Sequence, residues 1–377
     1  MRNYIPQSSL RLSLAASFVL FILFGIYGRE GVASRREGSA SIRPPDSARQ
    51  QAIPCVFDNF VWFKDQEIID EIRKDLPSFD GTAPEAGDSI SKILGVLERM
   101  LKKKGLPRNV EYIFFSGSGY QYRPEHVFAA RDAKIPICKV VFQNAPPQIE
   151  KELQQAAQTL VNKDYSKVIT KSFVDGAAVQ VFRKYGHLRA AARILSAELD
   201  QSCRASVVVK VAVEPGPGYI WDKAVWSGNR AFSSQSLDAA LELKPGDLAD
   251  GLKIDAGLQA AVIVYRKLGY VELQIVPKPV FDDVNRRFTL NVAMTEGSQF
   301  KMGDFIVKGI PENSVQILKG RWALKTGAIY DASYIDDFIK KLVDDKLIPS
   351  DLARLLKPEF KLDRQRLAVD VIIDFKV

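Results

Sequence analysis

The sequence predicts an α+β fold of four tandem strand–helix–helix–strand–strand modules, each with two helices on a three-stranded mixed sheet. Three observations predict it. A helix end carrying basic residues and then Gly recurs as Leu101-Lys-Lys-Lys-Gly105, Phe182-Arg-Lys-Tyr-Gly186 and Tyr265-Arg-Lys-Leu-Gly269, with the glycines 81 and 83 residues apart. Short apolar strands recur at the same interval. Late segments of the repeats alternate apolar and polar residues with period two, the pattern of a sheet covered on one face. A fixed period of this size marks a repeat architecture, in which each unit is one supersecondary motif.

Each module opens on a strand: Val56–Phe63, Ile137–Phe142, Lys223–Ser227 and Asp304–Lys308. The first helices follow over Asp65–Leu76, Pro146–Asn162, Ser234–Leu243 and Pro311–Lys319. Pro146-Pro147 suits a helix start, where a missing amide costs nothing. The second helices carry apolar stripes at three-and-four spacing, which turn one face to a core. These are Ile90, Ile93, Leu94, Leu97 and Leu101; Phe173, Ala177, Val181 and Tyr185; Ile254, Leu258, Ala261, Val262, Tyr265 and Leu268; and Ile335, Phe338, Ile339 and Leu342. Cations in the last turn face the negative helix end, and the Gly beyond supplies a left-handed cap. The fourth copy, Leu342-Val-Asp-Asp-Lys346, lacks the Gly. Two strands then close each module. In the third, Phe288, Leu290, Val292 and Met294 share a face; in the fourth, Leu367, Val369, Val371, Ile373, Phe375 and Val377 do. Their hairpin turns fall at Asp200–Arg204, Asp282–Arg286 and Leu362–Gln365.

The modules start after an N-terminal region of different composition. Arg2 and Arg11 precede Leu12–Gly28, an uncharged apolar run read either as a cleaved export signal, with Gly31-Val32-Ala33 as a cleavage site, or as a retained membrane anchor. Residues 29–52, rich in Ser, Gly and Arg, form a flexible tether with too little apolar surface to order itself. The predicted divisions are thus 1–28, 29–52, 53–134, 135–217, 218–298 and 299–377, and the modules lie in an exported compartment.

The 377 residues carry 53 Lys and Arg against 45 Asp and Glu. Residues 1–51 hold seven of the arginines and three of the acids, so half of the net +8 sits there. The rest is a mixed surface, which excludes a phosphate-tracking nucleic-acid binder. No nucleophile–base pairing and no metal-ligand spacing is visible, so the sequence predicts no enzyme, no cofactor and no metal site. His126 and His187 have no ligand neighbours and are read as structural. Ser116-Gly-Ser-Gly119 lacks the Lys and the helix of a phosphate loop and is read as a loop between strands. Cys138 and Cys203 fall in one module, where an oxidising compartment permits a bridge, whereas the odd Cys55 argues against a designed disulfide framework.

The repeat resembles the polypeptide-transport-associated (POTRA) domain of BamA- and TamA-type outer-membrane assembly proteins. The resemblance rests on Val213-Glu-Pro-Gly-Pro-Gly-Tyr219, then Asp222-Lys-Ala-Val-Trp-Ser-Gly-Asn229 with Phe232, then Leu243-Lys-Pro-Gly-Asp247 and the Tyr265…Gly269-Tyr270 terminator. Thr295-Glu-Gly-Ser-Gln-Phe300, Gly303 and Phe305-Ile-Val-Lys-Gly309 repeat the opening, and Leu324-Lys-Thr-Gly327 persists in the fourth copy. It covers residues 53–377. It implies a periplasmic scaffold that handles unfolded outer-membrane proteins or docks barrel-assembly components, with membrane contact through the N-terminal segment if that is uncleaved. It further implies binding along the strand after the second helix: Val110–Phe115 (Val110, Tyr112, Phe114), Leu188–Leu199 (Leu188, Ala190), Val271–Val276 (Val271, Leu273, Ile275) and Leu355–Leu362 (Leu355, Leu356). No set of lipid-facing barrel strands remains to be assigned, so the expectation is an accessory or stand-alone protein, not an insertase. The competing expectation is an inner-membrane-anchored cell-division factor of the FtsQ type, against which the multiplicity of modules weighs.

Overall fold

The computed structural model describes residues 52–115 and 123–376. The predicted signal or anchor, all of the tether but Ala52, the Ser116–Gly119 loop and Val377 lie outside the described residues. No helix among the described residues is long and apolar enough to cross a membrane. The described residues fall into two compact units. One runs to Tyr219 and includes Leu248–Gly251; the other comprises Ile220–Asp247 and the chain from Leu252 onward.

The first unit holds two sheets. The first sheet contains β1 (Ile53–Phe57), β2 (Thr82–Ala83), β3 (Val110–Phe115) and β4 (Glu125–Ala130), in the order β2-β1-β4-β3. Helices α1 (Asp65–Asp75) and α2 (Ser89–Lys103) cover it. Ile68 and Ile72 of α1 meet Ile93, Leu97 and Leu101 of α2 in a core with Phe57, Phe60 and Phe128. Each of these aliphatic side chains is wholly buried, and such burial contributes about 1.5–3 kcal/mol apiece. The second sheet has the order β5-β7-β6, with β5 (Ile137–Gln143), β6 (Ala191–Asp200) and β7 (Ser206–Glu214). Its helices are α3 (Pro147–Ala157), α4 (Lys167–Phe173) and α5 (Val179–Lys184).

The second unit repeats the plan. One sheet runs β8-β10-β9, with β8 (Ile220–Ser227), β9 (Gln274–Asp282) and β10 (Arg287–Thr295), and carries α6 (Ser234–Leu241) and α7 (Gly251–Lys267). The other runs β11-β13-β12, with β11 (Lys301–Lys308), β12 (Glu359–Asp363) and β13 (Ala368–Asp374), and carries α8 (Glu312–Arg321), α9 (Tyr334–Asp344) and α10 (Ser350–Leu355). In all four sheets the last strand is central, parallel to the first strand and antiparallel to the one between them in sequence. The predicted α+β modules with mixed sheets are therefore present.

Several boundaries differ from the sequence reading, each for a local reason. β1 ends at Phe57 instead of running through Phe63, because the Asn59 side chain bonds the Ala130 amide and the Ala130 and Ala133 carbonyls and turns the chain. The first sheet has a fourth strand, since Thr82–Ala83 pairs with the start of β1. The second helix of the second module is split by a π-turn over Val174–Ala178. One inserted residue rotates the stripe, so Val174, Ala178 and Phe182 are buried and Ala177 is exposed. α10 occupies the chain where an edge strand was expected to begin.

The hairpin turns share one device. Asp200 accepts the Ser202 amide, Asp282 those of Val284 and Asn285, and Asp363 those of Gln365 and Arg366. Each carboxylate thereby holds its own turn. Cys138 and Cys203 are joined by a disulfide across 65 residues, which ties the start of β5 to the β6–β7 turn. The odd Cys55 is left free, and burial pushes its thiol up to about 12.

Candidate functional site

Because the last strand is central, every sheet leaves two sides: that of the first strand, which in the first sheet also carries the short β2, and that of the strand after the second helix. The first-strand edge is partly occupied by the chain itself. Gly81 O accepts from Cys55 N, Lys163 O from Ile137 N, Asp247 O from Trp221 N and Ala328 O from Met302 N. The segment before each second helix thus bonds the beginning of the first strand. The other edge, formed by β3, β6, β9 and β12, has no strand partner on its outer side among the described residues.

Antiparallel pairing alternates, so every second residue of an edge strand aims its amide and carbonyl outward. In β3 the Arg131 amide donates to Asn109 O, which fixes the phase. Val110, Tyr112 and Phe114 then present their backbone groups outward as an uninterrupted three-residue ladder. Their side chains lie half-buried on the core side, while Ile113 and Phe115 on the opposite face are 42% and 47% exposed. Tyr112 is held in place: its hydroxyl donates to His126 Nδ1 at 2.8 Å, and its ring lies 5.4 Å from Phe128. Burial raises its phenol above the ordinary range. His126, wholly buried, contacts Ala83 O through Nε2 at 3.3 Å, so it carries its proton there and is a structural residue.

The other three edges are impaired, each differently. β6 is the longest, but its register shifts between Ile194 and Ser196, leaving Leu195 as a bulge that breaks the two-residue repeat. β9 contains Pro277 and Pro279, opposite Val292 and Leu290. A proline cannot donate to its neighbour strand, so both nitrogens face outward and two of the four outward positions have no N–H. β12 is five residues long, and the phase set by Phe375 N donating to Lys308 O leaves only Phe360 and Leu362 facing outward. Bulges, prolines and short edges are the devices that keep sheet edges from pairing with other chains.

The structure places Val110, Tyr112 and Phe114 on β3 and Ile275 on β9. It does not bring the remaining sequence-predicted edge residues to an edge. Leu188 is 2% exposed in the turn before β6, and Ala190 lies in that same turn, its amide donating to His187 O. Val271 packs on the fourth core, and Leu273 N donates to Tyr270 O in a turn. Leu355 ends α10 and Leu356 caps it, buried. All six belong to the connection that returns the chain from helix to sheet; Leu188 and Leu356 are buried there, whereas Leu355 is exposed on its helix. Sequence reasoning missed Pro277 and Pro279, although prolines within an alternating run already signal an edge with blocked donors. Among the described residues, no group of three or more His, Cys, Asp or Glu side chains is placed to hold a metal ion.

Comparisons with known proteins agree with this architecture. Residues 219–297, the span of β8 to β10, match the POTRA family (surface antigen variable number repeat). Over 204 residues the chain is 22% identical to a protein of Treponema pallidum (strain Nichols) described as an outer membrane protein assembly factor. The alignment takes in 53% of this chain but 24% of that protein, so the chain spans about a quarter of its relative's length. POTRA domains 3–5 of Haemophilus influenzae BamA superpose with a TM-score of 0.51 at 16% identity, covering 64% of this chain and 95% of that one. That likeness establishes the fold.

Proposed function

We propose, for a chain whose modules are of the POTRA type, that it is a non-enzymatic scaffold of the cell envelope, facing the periplasm, which binds extended segments of outer-membrane proteins or of their assembly partners. The four modules correspond to residues 53–134, 135–217, 218–298 and 299–377. Binding is by strand addition, in which main-chain hydrogen bonds give affinity and the sequence requirement is broad. The observation that carries this reading is the β3 edge: three consecutive outward residues with intact amides, flanked by exposed Ile113 and Phe115. Pro277 and Pro279 make β9 the poorest acceptor of the four, because an added strand finds half of its carbonyls unmatched.

A photo-crosslinking side chain placed at Ile113, or at Val280 as a counterpart on β9, tests this in the native envelope. Ile113 is expected to capture outer-membrane polypeptides or barrel-assembly components, and Val280 to capture far less. Val110→Pro, which removes one outward amide at the strand's start, is expected to lower the Ile113 yield. Capture at neither position, or equal capture at both, would overturn the reading.

A further inference from the structure

We propose that the turn Asp58–Phe63 is an inter-module latch that joins the first two modules into one arm. The sequence pattern of this stretch reads as strand, yet the structure turns it outward and uses it on two sides. Phe60, Trp62 and Phe63 pack into the first core. Val61, between them, packs against the second core. Asn59 fastens the turn to Ala130 and Ala133 of its own module.

Asp58 makes the crossing. Its Oδ1 accepts from Val168 N at 2.8 Å and from Ser166 Oγ at 2.9 Å, and its main-chain oxygen accepts from Lys167 N at 3.1 Å. Ser166 Oγ in turn accepts from Ile169 N at 3.1 Å. The first turn of a helix has amides without intrahelical partners. Two of those in α4 are therefore satisfied by a residue of the preceding module and a third by the Ser that Asp58 holds. The carboxylate also sits at the positive end of the helix. Lys167 and Asp65 add an exposed ion pair at 2.5 Å, which contributes little alone. The joint is thus an N-cap supplied in trans between modules, with an apolar plug beside it.

Spin labels on the full chain test the latch, at Glu98→Cys on α2 and Glu150→Cys on α3, in a Cys55→Ser background with the Cys138–Cys203 bridge intact. The parent should give one narrow inter-label distance distribution. Asp58→Ala combined with Val61→Ser should lose that peak and give a broad one. Asp58→Asn alone, which keeps an acceptor for Val168 N, should retain the narrow peak. Hydrogen exchange at the β4 and α2 amides separates uncoupling from unfolding: protection there should persist in the doubly substituted chain. A distribution as narrow as the parent's, or broadening only together with loss of β4 protection, would overturn the proposal.

Discussion

The joint between the first and second sheets and the joint between the third and fourth connect like modules by unlike chemistry. In the second unit the connection is main chain. Gly269 O accepts from Phe300 N at 2.8 Å, Phe300 O accepts from Tyr330 N at 3.0 Å, and Arg266 O accepts from Ala332 N at 3.2 Å. Glu272 and Arg364 pair at 2.7 Å across the same boundary. A Gly–aromatic–turn ladder of the same form recurs inside the first unit at Gly186, Tyr219 and Ala249. Between the first two sheets it is replaced by Asp58, which accepts through both its carboxylate and its main-chain oxygen. One helix-ending motif therefore does two jobs: Gly269 both caps a helix and receives the next module, while Gly105 only caps.

The glycines themselves give the largest expected effect. Both have positive φ, +80° at Gly269 and +72° at Gly105. A Cβ at Gly269 would stand 2.4 Å from Phe300 O, whereas one at Gly105 would meet nothing within 4 Å. Gly105→Ala should cost only the left-handed conformation, about 1–2 kcal/mol. Gly269→Ala adds a clash with backbone that cannot move without breaking the ladder, and should cost more than about 4 kcal/mol. Denaturant titration of the full chain distinguishes them, and equal losses would show that Gly269 is no more than a cap.

Next in size is the covalent staple. The only cysteines are Cys55, Cys138 and Cys203, so the second unit has none. Cys138→Ser with Cys203→Ser should lower the first unit's stability by about 2–4 kcal/mol and leave the second unit's transition where it was. A shift of both transitions would mean that the two units unfold together.

The same contrast divides what is local in the sequence from what only the packed chain decides. The repeat, the helix terminators and the places of the hairpin turns were legible because each follows from local chemistry: a 3.6 or 2.0 period, a left-handed Gly, a polar break between alternating runs. The latch was not, since Val56–Phe63 is apolar enough to pass as strand, and the Asn59 bonds and the position between two cores that decide otherwise are long-range. The π-turn was hidden because one inserted residue still leaves Phe173, Ala177 and Val181 at helical spacing. The edge at β3 was read at its observed limits, where a strand begins soon after the helix. The other three edges begin later, after packing turns at Leu188–Ala190, Val271–Leu273 and α10, and apolar composition does not separate a packing turn from a strand.

The smallest expected effect concerns charge on the first module, whose α1–α2 pair is bridged by ions as its core is by aliphatics. Glu71 bonds Lys74 and, across the helix pair, Lys103 at 2.9 Å, and these bonds hold its carboxyl down at about 2. A carboxyl depressed on folding stabilises the folded state above its unfolded value, near 4.3, and that contribution disappears as pH falls through the folded value. The loss should therefore develop below about pH 4 and be complete near 2. The group is solvent-facing, so the effect should be small and should vanish at high salt. Glu71→Gln should flatten that part of the acid profile at low salt while leaving the profile of the second unit unchanged. If the acid-side loss survives both high salt and Glu71→Gln, the ions between α1 and α2 are ornament to a joint that the Ile68, Ile72, Ile93 and Leu97 contacts already determine.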